Sequence, residues 1–148
     1  MTTMYLAWQP SGHCTLAPHA DEGPVDLLVS FVVLKQFVKL RKDYNIGKII
    51  MDSGAFSVFK SGKIIDIDEY IAACKDLEGD FDEFVGLDVI GNPREGITDV
   101  DGMKRNLSKM WEAGVKAIPV YHQSEPIEHL DWCCANAHKI GLASRLPK

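Results

Sequence analysis

Two aspartates and a histidine occupy equivalent places in this chain. Asp52 closes the run Lys48-Ile49-Ile50-Met51-Asp52, Asp88 closes Phe84-Val85-Gly86-Leu87-Asp88, and His122 closes Ala117-Ile118-Pro119-Val120-Tyr121-His122. Two carboxylates whose surroundings separate their pKa values can divide acid and base roles between them. A carboxylate can also accept paired N–H donors from a flat heterocycle, such as the N1–H and 2-amino group of a guanine-like base. Phe56, Phe59 or Tyr121 can stack on such a ring. Two Asp and one His are equally a ligand set for a divalent metal. Spacing alone does not choose among these chemistries. Each Asp also has a purely structural alternative, as a helix cap or turn former at a strand end.

The elements that must position these residues are short. An apolar run of this length between turn signals reads as a buried strand. Strands covered on both faces belong to a parallel sheet flanked by helices, which carries its chemistry at the carboxyl ends of its strands. Ser53-Gly54-Ala55-Phe56-Ser57-Val58-Phe59 then reads as a loop, with Gly54 allowing close approach of a ligand to the backbone. Strands are expected at Met4–Trp8, Val25–Ser30, Lys48–Asp52, Glu83–Asp88 and Ala117–Val120, with a further one beginning at Lys139–Leu142. Helices are expected from Phe31 to Lys42 and from a cap at Asp66 or Asp68 to Leu77. Two more run from Asp99 or Asp101 to Ala113, ending at Gly114, and from Ile127 to Ala137. Leu130, Cys133, Cys134 and Ala137 form the inner stripe of the last helix, whereas His129 and His138 are expected on its surface. Glu78–Asp82 reads as an exposed acidic connection, and Gly91-Asn92-Pro93 breaks the chain. The basic cluster Lys39, Arg41 and Lys42 suits a solvated helix C-terminus.

Strand and helix alternate, which means a parallel sheet with right-handed crossovers. No Gly-x-Gly-x-x-Gly and no Walker-type loop is present, so a nucleotide-binding doubly wound fold has no positive support. The fold class expected is α/β, built from parallel (β/α) units of a TIM-type barrel. A complete (β/α)8 barrel takes roughly 250 residues, and about five strands are legible here, so the expectation is one domain over residues 1–148, an incomplete or half barrel. The length of 148 residues suffices for one real core. The net charge of −5 does not favour a protein that coats a phosphate backbone. The four cysteines, Cys14, Cys74, Cys133 and Cys134, contain no Cys-x-x-Cys pair and read as reduced thiols of a cytoplasmic protein. His13, Cys14 and His19 sit in a Pro- and Gly-containing loop whose spacing fits no metal motif. No apolar stretch is long enough to cross a bilayer.

Met51-Asp52-Ser53-Gly54-Ala55-Phe56-Ser57-Val58-Phe59 resembles the Asp-Ser-Gly-Gly-Phe-Gln segment of tRNA-guanine transglycosylases, and more closely their phage and bacterial relatives that place 7-deazaguanines in DNA. Gly86-Leu87-Asp88 is similar to that family's second base-reading Asp, which also precedes a Pro-containing loop. Ile118–Gln123 falls where the family contributes another base-contacting loop. The resemblance covers Lys48 to Gln123. It implies a (β/α)8 barrel in which Asp52 is the catalytic carboxylate near the glycosidic bond, Asp88 reads the base, and Ser53, Gly54 and Phe56 shape the pocket, with His122 and Gln123 beside them. It further implies breakage of the N-glycosidic bond of a guanosine through an Asp nucleophile and a covalent intermediate, which an incoming base resolves.

Four departures accompany the resemblance. Ala55 stands for the family's second Gly, and Ser57 stands where Gln is frequent. The family's nucleophile lies on a later strand than any legible here. Its Cys/His zinc site also lies later, and Cys133-Cys134 does not match that spacing, so no cofactor is expected in this chain. The expected protein is thus the N-terminal part of a base-exchange pentosyltransferase, truncated, frame-shifted or split, acting on a nucleobase within tRNA or DNA. A homodimer or a second polypeptide would complete its barrel, because open strand edges invite association. The alternatives are a metal-dependent hydrolase or lyase that uses Asp52, Asp88 and His122 as ligands, and a non-catalytic half barrel that binds bases or assembles with a partner.

Overall fold

The computed structural model describes residues 3–10, 23–43, 45–92 and 97–144. The loop with His13, Cys14 and His19, the Pro93 break and the chain from 145 onward lie outside the described residues. In chain order the elements are β1 (Leu6–Ala7), β2 (Val25–Ser30), α1 (Leu34–Leu40), β3 (Ile46–Asp52), α2 (Ala55–Phe59), α3 (Ile67–Asp76), β4 (Glu83–Val85), β5 (Ile90–Asn92), β6 (Ile97–Thr98), α4 (Val100–Glu112), β7 (Ala117–Ile118), β8 (Val120–His122), α5 (Ile127–Asn136) and β9 (Gly141–Ala143). No described helix is long and apolar enough to cross a membrane.

Five strands form one parallel sheet in the order β1-β2-β3-β4-β7. The order follows the chain without reversal, so the sheet lacks the crevice that doubly wound sheets make where strand order turns back. The strand expected over Ala117–Val120 is interrupted at Pro119, which has no N–H to give the ladder. β7 lies before it and β8 after it. The Gly86 amide donates to the Ile118 carbonyl at 2.8 Å, and the Gly141 amide donates to the Pro119 carbonyl at 2.8 Å. β9 therefore continues the parallel arrangement on the far side, pairing with β8 from Val120–Gly141 to His122–Ala143.

The strands are not covered equally on both faces, as their apolar runs suggest. Leu27, Val29, Ile49, Met51, Phe84 and Ala117 are buried, whereas their alternating neighbours Leu28, Ile50 and Ile118 are only half-buried. This period-2 pattern means that one face packs on the helices and the other is partly open. The packed face meets Phe37 of α1, Tyr70, Ile71 and Cys74 of α3, and Leu107 and Met110 of α4. Edge-on contacts between Trp8 and Phe37 (5.3 Å) and between Phe37 and Phe81 (6.0 Å) extend that core.

Local chemistry sets the helix ends. Asp66 caps α3 by accepting from the Asp68 and Glu69 amides at 2.8 and 3.1 Å, and Asp99 caps α4 by accepting from the Gly102 amide at 2.9 Å. Gly114, at φ 90°, stops α4. The single helix expected over Phe31–Lys42 is a 3-10 turn (Phe31–Val33), α1 and a second 3-10 turn (Arg41–Asp43), and Val38 and Leu40 point outward. Arg41 pairs with Asp80 at 3.0 Å. The Glu78–Asp82 connection is not wholly exposed. Phe81 is buried, and the Asp82 carboxylate accepts from the Ile49 amide at 2.7 Å.

The segment after Asp52 is a short helix and not a loop. Gly54 stands before α2 at φ 70°, in the left-handed region, where an ideal Cβ would overlap the Ser30 hydroxyl and lie 2.7 Å from Val32 Cγ2. Both constraints require glycine. Gly54→Ala is expected to destabilise the fold by on the order of 2–4 kcal/mol, combining backbone strain with overpacking. Urea unfolding measures it, and an unchanged midpoint would contradict the packing of Gly54 on Ser30.

Candidate functional site

Parallel pairing sends every strand of the sheet in the same direction, so the residues that leave the strands emerge at one end. Asp52 is the last residue of β3, Asp88 lies three residues beyond β4, and His122 is the last residue of β8. The Asp52 carboxylate accepts from the Gly54 amide at 3.0 Å. Burial raises its pKa above the ordinary carboxylate value, against the lowering effect of the Gly54 and Ser53 amides.

Asp88 is more strongly perturbed. Its side chain is 11% exposed, and its Oδ2 lies 3.6 Å from Nε2 of His122. Burial pushes Asp88 up to about 7; the positive charge of His122 opposes the rise, and the negative charges of Asp52 and Glu125 add to it. Asp52 and Asp88 therefore sense each other, and Asp88 changes charge near neutral pH.

His122 is buried and held from its other side. Its Nδ1 lies 2.8 Å from Glu125 Oε1, and its backbone amide donates to Glu125 Oε2 at 2.9 Å. The Thr98 hydroxyl also donates to Glu125 Oε1. Burial pulls the imidazole pKa down, but the Glu125 hydrogen bond and the charges of Asp88 and Glu125 outweigh it, so His122 titrates above its ordinary value. Burial would raise Glu125, but its bonds from His122 and Thr98 prevail and lower it. The turn is closed by the Glu125 amide donating to the His122 carbonyl at 2.9 Å and by the Tyr121 hydroxyl donating to the Glu125 carbonyl at 2.9 Å.

The remaining expected residues fall around this group. Phe56, on α2, presents its ring edge-on to His122 at 5.7 Å. Ser53 is buried, and its hydroxyl lies 3.4 Å from the Ala55 amide. Gly54 brings the backbone against Ser30, whose hydroxyl is buried without a hydrogen-bond partner among the described residues. Gln123 is exposed, and its amide donates to the Ala143 carbonyl at 3.2 Å on β9. Tyr121 is tilted over His129 at 6.3 Å.

Two expectations for α5 are corrected. His129 is buried and not on the surface, because it is stacked on Trp132 at 5.9 Å and lies 3.6 Å from Glu125 Oε2. Cys134 is exposed and not inward; Cys133 takes the buried position, 3.7 Å from His129 Nε2. The adjacent cysteines thus point apart. Among the described residues no group of three or more His, Cys, Asp or Glu side chains converges to hold a metal ion.

Glu125 and Thr98 have no place in the sequence reading of the site. The His-x-x-Glu spacing at the end of an apolar run was the available signal for Glu125. Thr98 had none, because its partner lies 27 residues away.

The sign of the pH dependence follows from the direction of the Asp88 shift. The fold binds its proton more tightly than the unfolded chain does, so that stabilisation is complete below the ordinary value of 3.8 and is lost as pH rises through about 7. Asparagine cannot ionise and escapes the loss. Asp88→Asn is expected to stabilise the protein increasingly from pH 4 to pH 7, by on the order of 2–4 kcal/mol at pH 8. Denaturant unfolding at pH 5 and pH 8 tests this; an equal effect at both would show that Asp88 is not the group that titrates.

Compared with known proteins, the chain matches no protein-family model, no curated protein sequence and no solved structure.

Proposed function

We propose that this chain is the base-binding part of a base-exchange glycosyltransferase-like protein, one that replaces guanine by a 7-deazaguanine in tRNA or DNA. The observation that supports the reading is the pair Asp52 and Asp88. They leave neighbouring parallel strands at the same end, they are coupled through their charges, and His122 faces Asp88 with the Phe56 ring edge-on to the imidazole.

A guanine-like base offers two parallel N–H donors, and an ionised carboxylate accepts both. Asp88 takes this role. Asp52 is the catalytic carboxylate beside the glycosidic bond. Its raised pKa suits it to giving a proton to the departing guanine and taking one from the N9–H of the incoming base, so the exchange conserves protons. Ser53 and Gly54 keep the backbone close behind the base, Phe56 walls it, and His122 and Gln123 lie on the side of β8.

The in-order parallel sheet would then be an arc of a (β/α)8-type barrel whose half-open face is the inner one. Among the described residues its outer strands β1 and β9 each pair on one side only, and a second copy or a second polypeptide would cover the other side while supplying the covalent nucleophile. The acid and base residues proposed here act in that completed, cytoplasmic assembly.

Calorimetric titration with guanine and 7-deazaguanine tests base binding directly. Paired N–H donors bind the ionised form of Asp88, so both bases are expected to bind at pH 8, and binding that persists at pH 6 requires the Asp88 proton to move to a neighbouring group. Asp88→Ala lowers affinity by about tenfold to a hundredfold, the loss expected for buried charged hydrogen bonds. Absence of binding by either base at both pH values would remove the reading. Asp52→Asn is expected to keep fold and base binding while abolishing exchange of labelled guanine in the completed assembly. An Asp52→Asn protein that still exchanges would overturn its catalytic role.

A further inference from the structure

Among the described residues Glu125 is a buried carboxylate with no part in the base exchange. Neither its chemistry nor its position in sequence connects it to a purine pocket. Its two oxygens are nevertheless committed. Oε1 receives the Thr98 hydroxyl and faces Nδ1 of His122 at 2.8 Å, and Oε2 receives the His122 amide at 2.9 Å. A carboxylate this fully engaged cannot swing away, and the imidazole it holds cannot rotate without breaking the pair.

We propose that Glu125 is a positioning residue that fixes His122 in its Nδ1-protonated form, aims Nε2 at Asp88, and so makes Asp88 and His122 a pair that shares one proton. An acidic oxygen facing Nδ1 selects the tautomer with the proton on Nδ1. The lone pair of Nε2 then faces Asp88 Oδ2 across 3.6 Å. That gap is longer than a hydrogen bond. A small side-chain rotation closes it, or one water spans it, as happens when catalytic contacts tighten around a ligand. The proton of neutral Asp88 then moves to Nε2, leaving a carboxylate on Asp88 and an imidazolium on His122 whose charge Glu125 balances. The net charge of the group is unchanged, which lets a desolvated site ionise Asp88 without importing a charge.

The groups facing this pair come from several elements. Asp52 of β3 acts on Asp88 by like charge, and both carboxylates act on the buried Tyr70 of α3, whose hydroxyl donates to the Val85 carbonyl at 2.8 Å. His129 of α5 approaches Glu125 at 3.6 Å, and burial holds it below its ordinary value, against the attraction of Glu125 and with the repulsion of Lys104. A largely neutral His129 leaves the charge of Glu125 to His122.

The inference deepens the base-binding reading by naming what ionises the base-reading Asp88, and it rests on that reading only for the use made of the carboxylate. The test is therefore made without ligand. Nitrogen-15 NMR of the histidines in the wild-type protein is expected to show His122 with its proton on Nδ1 and titrating above an ordinary histidine. Glu125→Gln is expected to lower that titration by a pH unit or more, and Thr98→Val to lower it by less. Asp88→Asn is expected to keep the Nδ1 proton but also to lower the titration, since it removes the charge that faces Nε2. A His122 protonated on Nε2 when neutral would overturn the proposal, as would a titration that Asp88→Asn leaves unmoved. If Glu125→Gln does not fold, the wild-type tautomer with the Thr98→Val and Asp88→Asn titrations decides. Failure of purine binding with these signatures intact would count against the base-exchange reading alone.

Discussion

The parallel ladder from β2 through β7 is the constraint on which the rest of the structure depends. Its strands are paired in chain order and run in one direction, so the chain must leave each of them at the same end. Asp52, Asp88 and His122 lie 36 and 34 residues apart, and no local interaction would bring them together. The ladder does so because β3, β4 and the β7–β8 line are immediate neighbours, joined at the top by the bond from the Gly86 amide to the Ile118 carbonyl. The break at Pro119 is part of the same geometry. It frees β8 to pair with β9 while keeping His122 level with the carboxylates.

Burial then turns a set of polar residues into an electrostatic unit. The side chains of Asp88 and His122 are almost wholly withdrawn from water, at 11% and 2% exposed. A desolvated carboxylate is costly to ionise, and its neighbours decide how costly. His122 lowers the cost for Asp88, Asp52 raises it, and the balance falls near neutral pH. The group is thus costly to desolvate, and the core must hold it in place. Tyr70 illustrates the support. It packs edge-on against Phe31 at 5.2 Å and anchors the Val85 carbonyl, just before the turn that carries Asp88.

The turn His122-Gln123-Ser124-Glu125 adds precision that the sheet alone lacks. A strand end fixes where a histidine starts but not how its ring is turned. Glu125 fixes the ring, Thr98 fixes Glu125, and the Tyr121 hydroxyl fixes the turn. Thr98 arrives from β6, which pairs antiparallel with β5 beside the main sheet, so this small pair joins the Asp88 side of the site to the His122 side.

The sequence by itself determined the alternation of strand and helix, a cap at Asp66 or Asp68 and another at Asp99 or Asp101, the stop at Gly114 and the placement of Asp52, Asp88 and His122 at the ends of apolar runs. These are local properties: periodicity, capping side chains and glycine geometry act over a few residues. Tertiary structure alone decided which face of each strand is covered, because apolar runs such as Ile49-Ile50-Met51 look alike on both faces until helices pack on one. It decided that Ser53–Phe59 holds a helix, since the left-handed Gly54 that precedes α2 is set by contact with Ser30 and Val32. It buried His129, which by spacing alone reads as a surface residue, because Trp132 and the Glu125 turn close over it. Above all it paired Thr98 with Glu125 and His122 with Asp88. Those contacts span 27 and 34 residues, and only the folding of the whole sheet brings such partners within reach.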